Sequence, residues 1–379
     1  MIAPPRVLLV GHDASATGAP LALLALVSWA HASGAAQIEV RLDRGGPLES
    51  ALVELAPTTV TSARTRSVAT VLDVVAGRMW GQGLRRALAR RDHAVPDDGT
   101  VVVAASAASW PTAAVLAPPG RLVLWLHELD GVVDRLLRPA ERRALLSKTS
   151  HIVAVGERVA AMVTERWGVD HDQVTVVDSF VDAPRTEATA PAEGAGRQRC
   201  DVLAIGSLVP RKGAEHVVAV AALLARDRPS LRSAWVGGDL ATPYADLIRA
   251  DLAAAELGGS FVLAGAVDEL EPWWPRSGVV VHLPREDPAP LVVVEAALRS
   301  VPVVTWDTGG AADLVRGAGL DELVVAPGDV AAAAAQVARL LDDPTARRAA
   351  GSALALAARD RTTDQQAPKL LDAFLTGLR

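Results

Sequence analysis

His282-Leu-Pro-Arg-Glu-Asp-Pro-Ala-Pro-Leu-Val-Val-Val-Glu-Ala-Ala-Leu-Arg-Ser-Val-Pro-Val-Val304 reads as a strand end, a proline-punctuated loop, a helix from residue 291 and the start of another strand. The strand runs on either side, 279–282 and 303–305, are short, apolar and β-branched, with no polar residue alternating along them. Continuous apolar strands joined by helices form a parallel sheet covered on both faces.

The alternation extends outward from this segment. Toward the start of the chain it predicts strands at 7–10, 38–42, 101–105, 122–126, 152–155 and 174–177, with helical stretches such as 20–32 and 158–167 between them. It stops over 183–199, where Ala, Pro, Gly and charge replace any periodicity, so this stretch reads as a linker. It restarts at 202–205 and continues through 233–236, 261–263, 279–282, 303–305 and 323–325. The expected architecture is α/β, with two Rossmann-like domains in tandem, 1–182 and 200–360. A helical tail over 361–379 could pack on either. Ligands of such sheets bind beyond the carboxyl ends of the strands, and two facing domains would bring those ends to a shared cleft.

Bulk properties narrow the class. A chain of 379 residues fits two domains of ordinary size, and half of its residues are hydrophobic. A net charge of -6 argues against a nucleic-acid binder. Cys200 is the single cysteine, which rules out an intrachain disulfide and a cysteine-based zinc site. Residues 1–6 lack a signal-peptide pattern, and no apolar run approaches the roughly 20 residues needed to cross a bilayer. The expectation is a cytoplasmic protein, attached at most to the inner face of a membrane. Alanine and arginine dominate in the manner of a bacterial, GC-rich coding sequence. Only Lys148, Lys212 and Lys369 are lysines.

Four segments carry candidate chemistry. In the opening segment, Asp287 sits in the loop and Glu295 in the helix. Pro290, Leu291 and Val292 open that helix, whose first-turn amides and partial positive charge suit a phosphate or sugar hydroxyls. Glu295 can accept two hydrogen bonds, as a ribose diol requires. Gly206-Ser-Leu-Val-Pro-Arg-Lys-Gly213 follows a strand and opens a helix, but is not a Walker loop, because no Ser or Thr follows Lys212. Leu122-Val-Leu-Trp-Leu-His-Glu128 puts His127 at the carboxyl end of a strand. Gly11-His-Asp-Ala-Ser-Ala-Thr-Gly-Ala-Pro20 joins the first strand to a helix without a dinucleotide fingerprint, and Gly18 permits close backbone approach there. His12 and His151 read as an ordinary loop residue and a strand opener.

Together these segments resemble the family 4 retaining glycosyltransferases of the two-domain GT-B fold. The resemblance covers residues 7 to about 341 and is strongest between 202 and 313. Arg-Glu-Asp-Pro-x-Pro-Leu-Val-x-x-Glu-Ala is similar to the family's acidic E-x7-E signature, with Asp287 in place of the first Glu. The resemblance implies that Asp287 faces the donor sugar and Glu295 the nucleotide ribose. Gly206–Gly213 is similar to the family's diphosphate site, with Lys212 matching its lysine. Ser207 stands where the family has arginine, and Arg211 is the candidate substitute, although neighbours in an extended loop point opposite ways. The likeness further implies that His127 lies beside the donor sugar and that base recognition is by backbone near Ala266 and Val267. Asp307-Thr-Gly-Gly-Ala-Ala-Asp313 resembles the family's Gly-Gly-x-x-Glu loop. There Gly309 and Gly310 would let backbone pass close to ligand, and Asp313 would cap a helix.

The implied reaction is front-face transfer of a sugar from a nucleotide-diphosphate donor with retained configuration, without metal or other cofactor. The acceptor, the sugar and the base are unspecified. Asp170-His-Asp172 matches a metal motif of another glycosyltransferase fold but falls in a plain connector. The stretch 78–91, with Arg85, Arg86, Arg90 and Arg91, suggests a basic amphipathic helix suited to peripheral contact with anionic lipid. A glycosidase would also use two carboxylates but leaves the diphosphate-like loop without a role. A nicotinamide-dependent enzyme lacks its glycine fingerprint. A catalytically silent nucleotide-sugar binder or assembly partner is the remaining alternative, favoured by Ser207.

Overall fold

Thirteen strands, all paired in parallel, form two separate sheets in the computed structural model, which describes residues 3–61, 99–184 and 199–376. The chain divides into two compact units, residues 1–182 with 363–379 and residues 183–362. Most of the expected linker lies outside the described residues.

The first unit runs β1 (Arg6–Gly11), α1 (Gly18–Ser33), β2 (Gln37–Leu42), α2 (Glu49–Leu55), β3 (Thr58–Val60), β4 (Val101–Ala104), α3 (Trp110–Leu116) and β5 (Leu122–Leu126). It continues through α4 (Asp130–Leu136), α5 (Pro139–Leu146), β6 (Thr149–Ala154), α6 (Glu157–Ala161) and β7 (Val174–Val176). Its seven strands lie in the order β3-β2-β1-β4-β5-β6-β7. Leu8, Leu9, Val102, Val103, Val123 and Leu124 are fully buried. Each such side chain contributes about 2 kcal/mol of hydrophobic stabilisation, which explains why these runs show no polar alternation. Helix α1 ends where Gly34 turns left-handed, its N–H bonding Ala30 O at 2.9 Å. The short edge strand β3, mostly threonine, has too little apolar content to stand out in the sequence.

The second unit runs β8 (Cys200–Ile205), α7 (Ala214–Ala225), β9 (Ser233–Val236), α8 (Pro243–Ala254), β10 (Phe261–Gly265) and β11 (Ser277–His282). Then come α9 (Leu291–Leu298), β12 (Val303–Trp306), α10 (Gly310–Gly317), β13 (Val324–Val325), α11 (Val330–Asp342) and α12 (Pro344–Ala358). Six strands lie in the order β10-β9-β8-β11-β12-β13. Helix α12 shows its start signal plainly: Asp343 accepts from the N–H groups of Thr345 and Ala346 at 2.8 and 2.9 Å, with Pro344 opening the helix.

The tail, helix α13 (Thr363–Thr376), belongs to the first unit. Thr363 N–H donates to Val181 O at 2.9 Å, and its hydroxyl donates to Asp182 at 2.6 Å. Phe374 is fully buried against Trp125, ring centroids 5.8 Å apart.

Candidate functional site

In the second sheet the strand order reverses between β8 and β11, which pair directly. Connections leaving such a pair diverge to opposite faces, and the crevice beyond the carboxyl ends is where open α/β sheets bind ligands. The loops there are 206–213 and 283–290, which fall in two of the four segments that the sequence singles out.

The first loop closes in a single tight turn, Pro210–Lys212, ended by Gly213 at φ 71°. A Cβ on Gly213 would stand 2.3 Å from the carbonyl oxygen of Leu283, so only glycine fits. The turn corrects the expectation of an extended loop with diverging cations. Arg211 Nη1 donates to Glu286 O at 2.8 Å, and Lys212 Nζ donates to Asp287 Oδ2 at 2.5 Å. Both cations run to the facing loop.

Three prolines leave that facing loop few N–H donors, and it is held instead through its carbonyls. His282 O accepts from Thr305 Oγ1 at 2.9 Å, Pro284 O from Thr308 Oγ1 at 2.9 Å, and Glu286 O from Arg211. Leu283 O lies 3.1 Å from His216 Nδ1, which must therefore carry the proton. The N–H of Gly310 lies 3.2 Å from Asp287 O and 2.9 Å from Pro288 O. Gly309 pairs with Asp287 in an isolated parallel bridge, and a Cβ on Gly309 would fall 1.7 Å from Asp287 O. A Cβ on Gly310 would fall 2.3 Å from Pro288 O. Within the chain, the backbone of these two glycines passes close to the Asp287 loop. Asp313 does not cap α10: it lies within the first turn, and the cap position is Gly309. A carboxylate in a first turn favours the helix dipole instead.

Asp287 is buried, with 8% of its side chain exposed. Burial, the largest single influence, would raise its carboxyl pKa, but Lys212 and His282 beside it together outweigh burial and hold it well below the usual carboxylate range. His282 Nε2 stands 3.2 Å from the same Oδ2 yet makes no hydrogen bond, being off line. Burial first, helped by the Lys212 and Arg211 charges, lowers the His282 pKa against the opposing pull of Asp287, so the ring is neutral and Lys212 is the cation beside the carboxylate. His282 was not singled out by its sequence context. The available signal was a polar residue closing the apolar run Val279–Val281 at the carboxyl end of a strand.

The other predicted residues of this unit surround that pair in sequence without all converging on it. Pro290 precedes α9, and Leu291 and Val292 are its first residues. Glu295 is the one polar side chain of α9, half-buried one turn into the helix. Ser207 lies in the loop after β8, half-buried, its carbonyl accepting from Val209 N–H at 2.9 Å. Ala266 and Val267 are exposed just past β10, two strands from β8 and so about 10 Å to the side.

The first unit has a comparable reversal between β1 and β4. His127 follows β5 with its ring 4.5 Å from Trp125, and its Nε2 is buried with no hydrogen-bond partner among the described residues. Burial, then the nearby His12, push its pKa down to about 3, so it is neutral near pH 7. His12, an ordinary loop residue by sequence, lies with Nδ1 3.0 Å from Ser106 Oγ across β1 and β4. Gly18 is exposed at the start of α1, with open space where a Cβ would stand. The close approach in this region is made by Gly46, whose Cβ would lie 2.5 Å from Ala14 O. His151 is the third residue of β6 rather than its opener, with Nε2 2.8 Å from Thr175 Oγ1. The basic stretch with Arg85, Arg86, Arg90 and Arg91 lies outside the described residues. No helix among the described residues is long and apolar enough to cross a membrane.

Residues 199–343 match the family model described as Glycosyl transferases group 1. The chain is 30% identical over 235 residues to the 2-deoxystreptamine glucosyltransferase of Streptomyces kanamyceticus, a match covering 58% of this chain and 59% of that protein. It therefore spans about three fifths of the length of that curated relative. Among solved structures, HepE of Anabaena in complex with UDP and glucose superposes with a TM-score of 0.77 at 17% identity, covering 97% of this chain and 98% of that one. Sucrose-phosphate synthase of Thermosynechococcus elongatus superposes with a TM-score of 0.72 at 18% identity, covering 97% and 98%. Likeness at such identities establishes the fold, two Rossmann-like units of the GT-B type.

Proposed function

We propose that this chain, which belongs to the family 4-like Glycosyl transferases group 1, transfers a sugar from a nucleotide-diphosphate donor to an acceptor hydroxyl with retention of configuration and without a metal. The observation that carries the reading is the Lys212–Asp287 pair at the strand-order reversal of the second unit, a cation and a carboxylate 2.5 Å apart between two rigidly held loops.

Each group has a task that fits its environment. Lys212 has three donors, and in the absence of donor substrate one serves Asp287. The other two are free to meet a diphosphate and to offset the charge that grows on it as the sugar leaves, usually the largest catalytic contribution. Arg211 adds a second positive charge. Asp287, held ionised, is an acceptor for hydroxyls of the donor sugar. Glu295 is an acceptor for the ribose diol. Backbone past β10, at Ala266 and Val267, is the candidate contact for the base. The departing diphosphate takes the acceptor proton, so no separate base is needed. His127, neutral at its strand end, is a hydrogen-bonding group for a sugar. Relatives and neighbours support the donor class: one relative is a glucosyltransferase, and HepE was solved with UDP and glucose.

A second reading, a nucleotide-sugar binder without turnover, is favoured by Ser207 and by the commitment of Arg211 to Glu286 O. A thermal-shift screen of UDP, GDP, TDP and ADP, run without metal on wild type and Lys212→Ala, tests the donor site, since a ligand of the folded state raises its melting temperature. A shift with one diphosphate, lost in the variant, supports it; none with any of them refutes it. Release of that diphosphate from its sugar conjugate, with acceptor mixtures, then separates enzyme from binder.

A further inference from the structure

The two contacts of the Asp287 carboxylate fall on the same oxygen. Lys212 Nζ lies 2.5 Å and His282 Nε2 3.2 Å from Oδ2, and neither contact is to Oδ1. Lys212 makes a hydrogen bond; His282 is poised beside it and makes none among the described residues, although its Nε2 is buried. A buried, unpartnered ring nitrogen is costly. Its neighbours offer it nothing better: Asp287 is the carboxylate at hand, and Lys212 and Arg211 are cations that disfavour its protonation. The ring is also anchored, because His282 ends β11 and its carbonyl is bound by Thr305.

We propose that His282 is a positioning residue, the reserve partner of Asp287. This inference rests on the proposed donor site. When a diphosphate draws Lys212 Nζ toward its own oxygens, the carboxylate is left buried and short of a donor. A small tilt of the anchored ring then brings Nε2–H into line with Oδ2. The ring stays neutral and no proton is transferred; one hydrogen bond to Oδ2 is exchanged for another. The gain is orientation: Oδ2 remains held on the His282 side, and Oδ1 keeps facing the ligand through the catalytic cycle.

The test compares His282→Leu, which removes the donor, with His282→Gln, whose amide nitrogen reaches the Nε2 position. The probes are UDP, GDP, TDP and ADP for binding and their glucose or mannose conjugates for turnover. His282→Leu is expected to lower kcat about 10-fold or more, with donor KM within about 3-fold of wild type, and His282→Gln to restore most of it. In 15N-histidine spectra of wild type, one imidazole N–H signal, absent from His282→Gln, is expected to move downfield on addition of the diphosphate. Wild-type kcat in His282→Leu, equal losses in Leu and Gln, or an unmoved imidazole signal would each overturn the proposal. If His282→Leu does not fold, His282→Asn replaces it: its amide is too short to reach Oδ2, so kcat equal to that of Gln overturns the idea. Failure of wild type to bind any diphosphate sinks the donor site itself; binding and turnover with an indifferent His282 sinks only the present inference.

Discussion

The main chain of Gly309 passes the carbonyl of Asp287 with no room for a side chain: a Cβ would stand 1.7 Å from the oxygen. The same carbonyl accepts from Gly310 N–H, so the α10 entry is a mould for the Asp287 loop. Gly309→Ala is therefore expected to push that loop away. Overpacking of this kind costs about 1–3 kcal/mol, read by urea denaturation. Diphosphate affinity should fall about 10-fold or more, since the Lys212–Asp287 register is lost. An alanine variant that binds as wild type does would show that the loop has slack.

Lys212→Met leaves Asp287 buried without its cation. In wild type the carboxyl pKa is depressed, so Asp287 stabilises the fold above the unfolded carboxylate pKa, and that stability is lost as pH falls through the folded value. In the variant only His282 still opposes burial, so the folded pKa rises and the carboxylate loses the stabilisation its cation gave at neutral pH. The deficit is expected to be about 3 kcal/mol at pH 7 and to shrink toward pH 4, where the group can protonate. Denaturation curves at both pH values decide it; an equal deficit at both would mean that packing, not charge, is what the lysine supplies.

His127 also makes stability fall on acidification, but in a window that begins at higher pH. Its folded pKa, pushed down to about 3, lies below the unfolded value, so the unfolded chain binds the proton more readily. Stability is then full above about pH 6.5 and falls on acidification, by about 1.4 kcal/mol per pH unit between the two pKa values. His127→Phe should flatten this part of the profile. An unchanged slope between pH 6 and pH 4.5 would mean that the ring is less buried than described.

Glu295→Ala should weaken a ribonucleoside diphosphate about 10-fold, the scale of a lost hydrogen bond to a charged group. The matched 2′-deoxy compound, which keeps only the 3′ hydroxyl for Glu295, should lose distinctly less affinity on the substitution. Equal loss for both would move Glu295 off the ribose.

The sheets were legible because their strands are buried on both faces, and continuous apolar runs need no partner to be recognised. The edge strand Thr58–Val60 escaped because it is short, half-exposed and polar. The site was legible where residue type carries the chemistry, as with Lys212, Asp287 and Glu295. It was less so where packing does: the turn that aims Arg211 and Lys212 the same way depends on Gly213 meeting Leu283 O, seventy residues later in the chain. His282 and His12 acquire meaning only from strand adjacency, β11 beside β8 and β1 beside β4.

The return of α13 to the first unit has a consequence for synthesis. The second unit is one continuous stretch, and its core can close as soon as residue 362 is clear of the ribosome. The first unit, begun earlier, keeps the pocket around Trp125 uncovered until Leu370 and Phe374 arrive. The usual order of domain completion during translation is thus inverted: the half that starts first finishes last, and it waits with an apolar surface open.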